Sequence, residues 1–106
     1  TGKQKEALRL EKKIQQFREK NPYYHYSLGM QASLEGQYEE ALDHYKRATK
    51  LNTTEHTFYH ALARLYAQIG EKDKMVANLQ LAKKYASDPN NKLRYAQKLE
   101  MLRNVH

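Results

Sequence analysis

The chain has 106 residues, a formal net charge of +7, no cysteine and a mean hydropathy of −1.03. That length fits one domain, 1–106, and the missing thiols exclude disulfides and thiolate metal sites. No apolar run approaches the roughly 20 residues that cross a bilayer, so membrane insertion is not expected, and no secretory leader is recognisable.

The first predicted helix covers 3–20, KQKEALRLEKKIQQFREK. Ala7, Leu10, Ile14 and Phe17 recur at steps of three, four and three, one apolar stripe on an otherwise charged surface. Residues 1–21 carry seven Lys/Arg against three Glu. A helix of this length is marginal without a partner, so the stripe is expected to pack on the helices that follow, or to belong to a preceding helix pair. A coiled-coil seam is the alternative, with fewer than three heptads behind it.

Asn21-Pro22 starts a second helix, Asn as cap and Pro at the first helical position. It runs to about 34 and stops before Gly36. The third helix, about 38–50, opens with Glu39 and Glu40 and closes with Lys46, Arg47 and Lys50, so both ends complement the helix dipole. Asn52-Thr53-Thr54-Glu55 offers caps and an early acid for a fourth helix from about 54 to 69, which Gly70 ends. A fifth covers about 72–86, and Ser87-Asp88-Pro89 caps a last one over 90–104.

A shift of 34 residues lays 22–55 over 56–89. Leu28 falls on Leu62, Gly29 on Ala63, Gly36 on Gly70, Glu39 on Asp73, Tyr45 on Leu79 and Ala48 on Ala82. Small, aromatic and turn residues kept in register at a fixed period mark a stacked repeat. Leu28-Gly29, Gly36, Tyr38, Ala41, Tyr45 and Ala48 stand where the tetratricopeptide repeat places its packing residues, and the chain resembles that family over 22–89, with 90–104 as half a repeat. Departures are His25 in the tryptophan slot, Ala32 in the first tyrosine slot and Thr53 in the terminal proline slot. In the second copy Met75 replaces the small alanine and Lys72 the aromatic. The string NPYYHYSLG, followed 34 residues later by EHTFYHALA, also resembles the C-terminal repeat segment of some larger bacterial repeat proteins.

The resemblance implies an all-α fold, a right-handed superhelical stack of antiparallel helix pairs (an α-solenoid) with a single flanking helix at each end. Tyr38, Tyr45, Tyr59 and Tyr66 are expected to give ring area to its core with their hydroxyls reaching solvent. The resemblance also implies a groove along the first helices of successive pairs, which takes a peptide or a partner helix. Steps of 34 give three rungs: Tyr26, His60 and Arg94; Met30, Arg64 and Lys98; Ser33, Ala67 and Met101, with Tyr23 and Thr57 at the mouth. Such a groove begins aromatic and turns cationic, which suits an acidic partner with an apolar anchor.

Other chemistry finds little support. His56 and His60 are four apart on one helix, but no third ligand stands at a metal-site spacing, and Glu55 precedes the pair instead of lying inside it. No phosphate-binding glycine loop and no nucleophile–base order is present, so neither enzymatic activity nor a cofactor is expected. The basic runs sit at the two ends rather than gathered with aromatics on one face, which argues against nucleic acid. The expected function is a non-enzymatic protein-interaction scaffold. The alternatives are a basic module for nucleic acid or another polyanion, and self-association through the flanking helices.

Overall fold

The computed structural model describes residues 1–104, so 105 and 106 of the expected domain lie outside the described residues. Six helices follow in order: α1 Gly2–Glu19, α2 Pro22–Leu34, α3 Tyr38–Leu51, α4 His56–Gln68, α5 Lys72–Tyr85 and α6 Pro89–Arg103. There is no strand among the described residues.

Two glycines set the frame. Gly36 has φ 76° and Gly70 has φ 81°, in the left-handed region that glycine enters without steric cost. There the Gly36 N–H donates to the Ser33 carbonyl at 3.1 Å and the Gln37 N–H to the Ala32 carbonyl at 2.8 Å. The same closure recurs one period later, from Gly70 to Ala67 at 3.3 Å and from Glu71 to Tyr66 at 2.9 Å. These paired bonds satisfy helix-end carbonyls and reverse the chain within three residues. So α3 packs back along α2, and α5 along α4.

Side-chain caps start α2, α4 and α6, while α1, α3 and α5 begin without one. Asn21 and Asp88 each accept from the backbone N–H two residues on, at 3.0 Å, and each precedes a proline. α4 begins at His56, later than its cap-rich entry predicts. Glu55 itself caps it, accepting from the Thr57 N–H at 3.3 Å. Asn52 instead accepts from the Thr54 N–H at 3.2 Å, a local turn outside the helix. The choice is tertiary: the Glu55 carboxylate also accepts from the Tyr23 hydroxyl of α2 at 2.8 Å.

The core forms two consecutive clusters that share α4. Ala32, Ala41, Tyr45, Leu62, Leu65 and Tyr66 make the first. Ala63, Leu79, Ala82, Ala86 and Tyr95 make the second. A helix that buries residues on both sides is what stacked helix pairs require, since no single pair encloses its own apolar face. The tyrosine hydroxyls are not all left to water: that of Tyr59 donates to the Thr53 carbonyl at 2.7 Å and ties α4 to the loop before it.

The stripe of α1 departs from the first of its two expected roles. It does not pack on the helices that follow: Leu10, Ile14 and Phe17 are 59%, 51% and 81% exposed, and no residue of α1 is buried. α1 meets α2 at their junction, where His25 Nε2–H donates to the Glu19 carbonyl at 2.8 Å. The physical reason lies in the backbone of the link. Only Lys20 (φ −89°, ψ −6°) and Asn21 (φ −93°, ψ 114°) separate α1 from α2, and neither takes the left-handed conformation with which Gly36 and Gly70 reverse the chain. The molecule is accordingly long, 66 × 29 × 17 Å, with a radius of gyration of 17.3 Å, where a compact chain of this size has about 13 Å.

Candidate functional site

The first helices of the pairs, α2 and α4, and the last helix α6 carry the residues expected in a groove. Positions 26, 30 and 33 of α2 and 60, 64 and 67 of α4 each hold one face, by three-and-four spacing. Two adjoining hollows lie over these faces. One, of about 220 Å³ between α2 and α4, is bordered by Tyr26, Met30, Ser33, Thr57, His60 and Arg64. The other, of about 250 Å³ against α4, α5 and α6, is bordered by His60, Arg64, Ala67, Lys98 and Met101. His60 and Arg64 stand on successive turns of α4 and border both.

Two of the expected residues lie apart from the hollows. Tyr23 is exposed, its ring edge-on to Phe58 at 5.3 Å, and its hydroxyl is held by Glu55. That hydrogen bond, with the carboxylate charge behind it, raises the Tyr23 pKa. Arg94 is exposed and borders neither hollow, yet its charge helps lower the pKa of His60 and of Lys98.

Sequence reasoning missed the floor of the second hollow: Met75 and Leu79 from α5, with Leu102 from α6. The signal was present at position 75, where a long apolar side chain replaces the alanine of the first copy. It also passed over Tyr95, which is buried, donor or acceptor to His56 Nδ1 at 2.8 Å, and packed against the His60 ring at 5.2 Å between centroids. One period back from Tyr95 stands Ala61, so the register carried no hint of an aromatic there.

The electrostatics centre on His60. Its Nε2 accepts from Lys98 Nζ at 2.9 Å, so the imidazole is neutral with its proton on Nδ1. Burial, then the charges of Lys98, Arg64 and Arg94 and the His56 ring, lower its pKa to about 4. Lys98 is lowered too, by burial and then by Arg94 and Arg64. Glu55 goes the other way: burial works to raise its pKa, but hydrogen bonds from Tyr23 and Thr57 outweigh it and hold the carboxyl below its usual value. Among the described residues the one contact between a basic side chain and a carboxylate is His56 with Glu55, at 4.0 Å, and no Lys or Arg makes one. No carboxylate therefore faces Arg64, Arg94 or Lys98 from within the described chain. Chemically this is a cationic rim over an apolar floor. His56 and His60 spend ring nitrogens on Tyr95 and Lys98 rather than converging on a common point.

Residues 34–70 match the family model described as TPR repeat, and residues 56–89 match the one described as tetratricopeptide repeat. No curated protein matches the chain.

Proposed function

Because this chain belongs to the tetratricopeptide repeat family, whose repeats mediate protein–protein interaction, we propose that it is a non-enzymatic scaffold that grips an acidic peptide or partner helix along α2, α4 and α6. The anchor of that partner is an apolar or aromatic side chain seated on Met75, Leu79 and Leu102. Its carboxylates lie along Arg64, Lys98 and Arg94, with Tyr26, Met30, Ser33, His60 and Ala67 completing the contact and Tyr23 at its margin.

The observation that carries this reading is the uncompensated positive charge beside an apolar hollow. Burial first, then the charges of Arg94 and Arg64, depress the Lys98 pKa, and no carboxylate of the described residues pairs with it. An incoming carboxylate would remove that repulsion and gain charge-assisted hydrogen bonds.

The test is calorimetric titration with a short synthetic peptide that carries one Phe among Asp and Glu residues. Arg64→Glu and Arg94→Glu are expected to weaken binding by on the order of tenfold each, the worth of a hydrogen bond to a charged group. Both side chains are exposed, so the helical circular dichroism should not change. Unchanged affinity in both variants would move the site elsewhere. Equal binding of a single-stranded oligonucleotide, lost steeply with added salt, would favour a polyanion surface instead.

A further inference from the structure

α1 is the one described helix that buries nothing, and its stripe has the spacing of a coiled-coil seam: Ala7, Leu10, Ile14 and Phe17 as alternating core positions. At the C-terminal end of the stripe a hollow of about 340 Å³ is lined by Lys13, Ile14, Phe17, Arg18 and Asn21. Ile14, Phe17 and Arg18 form its wall on α1, at i, i+3 and i+4 of one helical face, and Asn21, the cap of α2, closes its end.

We propose that α1 pairs with α1 of a second copy, antiparallel, in a two-fold symmetric seam. Side-chain size and charge both select the direction. A parallel pair would set Phe17 on the partner's Phe17 and Ala7 on the partner's Ala7. It would also bring Glu6 beside the partner's Glu11 and Lys13 beside the partner's Arg18, each twice by symmetry. The antiparallel register that places residue 12 on the axis instead sets Phe17 against the partner's Ala7 and Leu10 against the partner's Ile14. Large then meets small in the outer layers, and Glu6 lies beside the partner's Lys20 on both sides of the axis. One Glu11 contact and one Lys13 contact of like charge remain, half of the number in the parallel arrangement.

The contact is isologous and closes on itself, so it yields dimers and not filaments. It is short, about one and a half heptads between its outer core positions, and a weak dimer is expected, forming in the micromolar-to-millimolar range. The seam uses none of the residues that border the hollows over α2, α4 and α6, so it stands or falls independently of peptide binding, and a dimer would carry two grooves.

Sedimentation of the full chain across that concentration range tests the pairing. The wild type should pass from monomer to dimer, and Ile14→Asp should stay monomeric. Ile14 lies outside both core clusters, so the stack remains folded. Glu6→Lys should weaken the dimer roughly fivefold to tenfold, and Glu6→Lys with Lys20→Glu should restore it. Direction is read from a spin label at Gln4→Cys, in a chain with no cysteine of its own. Antiparallel pairing offsets the two labels by sixteen residues along the axis, about 24 Å, whereas parallel pairing sets them side by side. A monomer at every concentration, a dimer that survives Ile14→Asp, or labels side by side would each overturn the proposal.

Discussion

Gly29 and Tyr45 meet where α2 crosses α3, and the crossing leaves no room for a larger residue at 29. A Cβ there would fall 2.5 Å from Cδ1 and Cε1 of the Tyr45 ring, and Tyr45 is only 4% exposed, with little space to retreat. The second copy meets the same constraint by a different pairing: Ala63 carries a Cβ, and Leu79 stands in place of the ring. Gly29→Ala therefore gains up to about 1 kcal/mol of helix propensity but loses about 1–3 kcal/mol to overpacking. A lower urea midpoint is expected, largely recovered when Tyr45→Leu is added to recreate the second copy's pair. His60 makes a prediction with a definite sign. Its pKa in the fold, about 4, lies below the 6.5 of a free imidazole, so between these values the unfolded chain binds the extra proton. Stability from this group is complete above pH 6.5 and is lost as pH falls toward 4. The groups facing it, Lys98 and Arg94 on α6 with Arg64 and His56 on α4, add no negative charge to offset this. The thermal midpoint should fall from pH 7 to pH 5, and by less in His60→Gln. Glu55, lowered from 4.5, acts only below that window.

At the scale of the helices, starts and stops were legible because they rest on local chemistry. Asn21-Pro22 and Asp88-Pro89 supply a capping oxygen and a preset φ within two residues. Gly36 and Gly70 supply a conformation that few other residues adopt. The start of α4 was misread because Asn52, Thr53 and Thr54 all offer a cap and Glu55 reads as an acid inside the helix rather than as its cap. Local chemistry does not rank them, and the bond from Tyr23, 32 residues away, does. The fate of α1 was hidden for a related reason. Its stripe states that a partner is wanted, but the link of Lys20 and Asn21, with no left-handed residue to reverse the chain, carries α1 away from the neighbouring helix.

For the whole molecule the pairs must be joined across α2 and α4, and Phe58 is the joint. It is fully buried, with the rings of Tyr23 and Tyr26 each 5.3 Å from its own. Neither periodicity nor the family pattern singled it out, since one period earlier stands Tyr24, which is only part-buried. Phe58→Ala is expected to cost about 3–5 kcal/mol. In a stack held by nearest-neighbour interfaces, the loss should separate one denaturation transition into two, with α2 and α3 melting first. A single transition shifted intact would show that the pairs do not unfold independently. The groove shows the same division between local and distant causes. The rungs follow from steps of 34 and the faces from steps of three and four, so most of the hollows' rims could be named from the chain alone. Their floor is built by Met75, Leu79 and Leu102 and its charge state by the bond from Lys98 to His60, contacts between residues of different helices.

By itself the sequence determined the number of helices, the turns that reverse them, and the period that stacks them. Each of these depends on residues within one turn of helix or on a repeat that can be counted. Tertiary structure alone decided which capping residue is used, that His60 is neutral, that Phe58 bears the joint, and that α1 stands free. Each of those depends on distances between atoms of separate helices, which are set by how the helices cross and how their links turn.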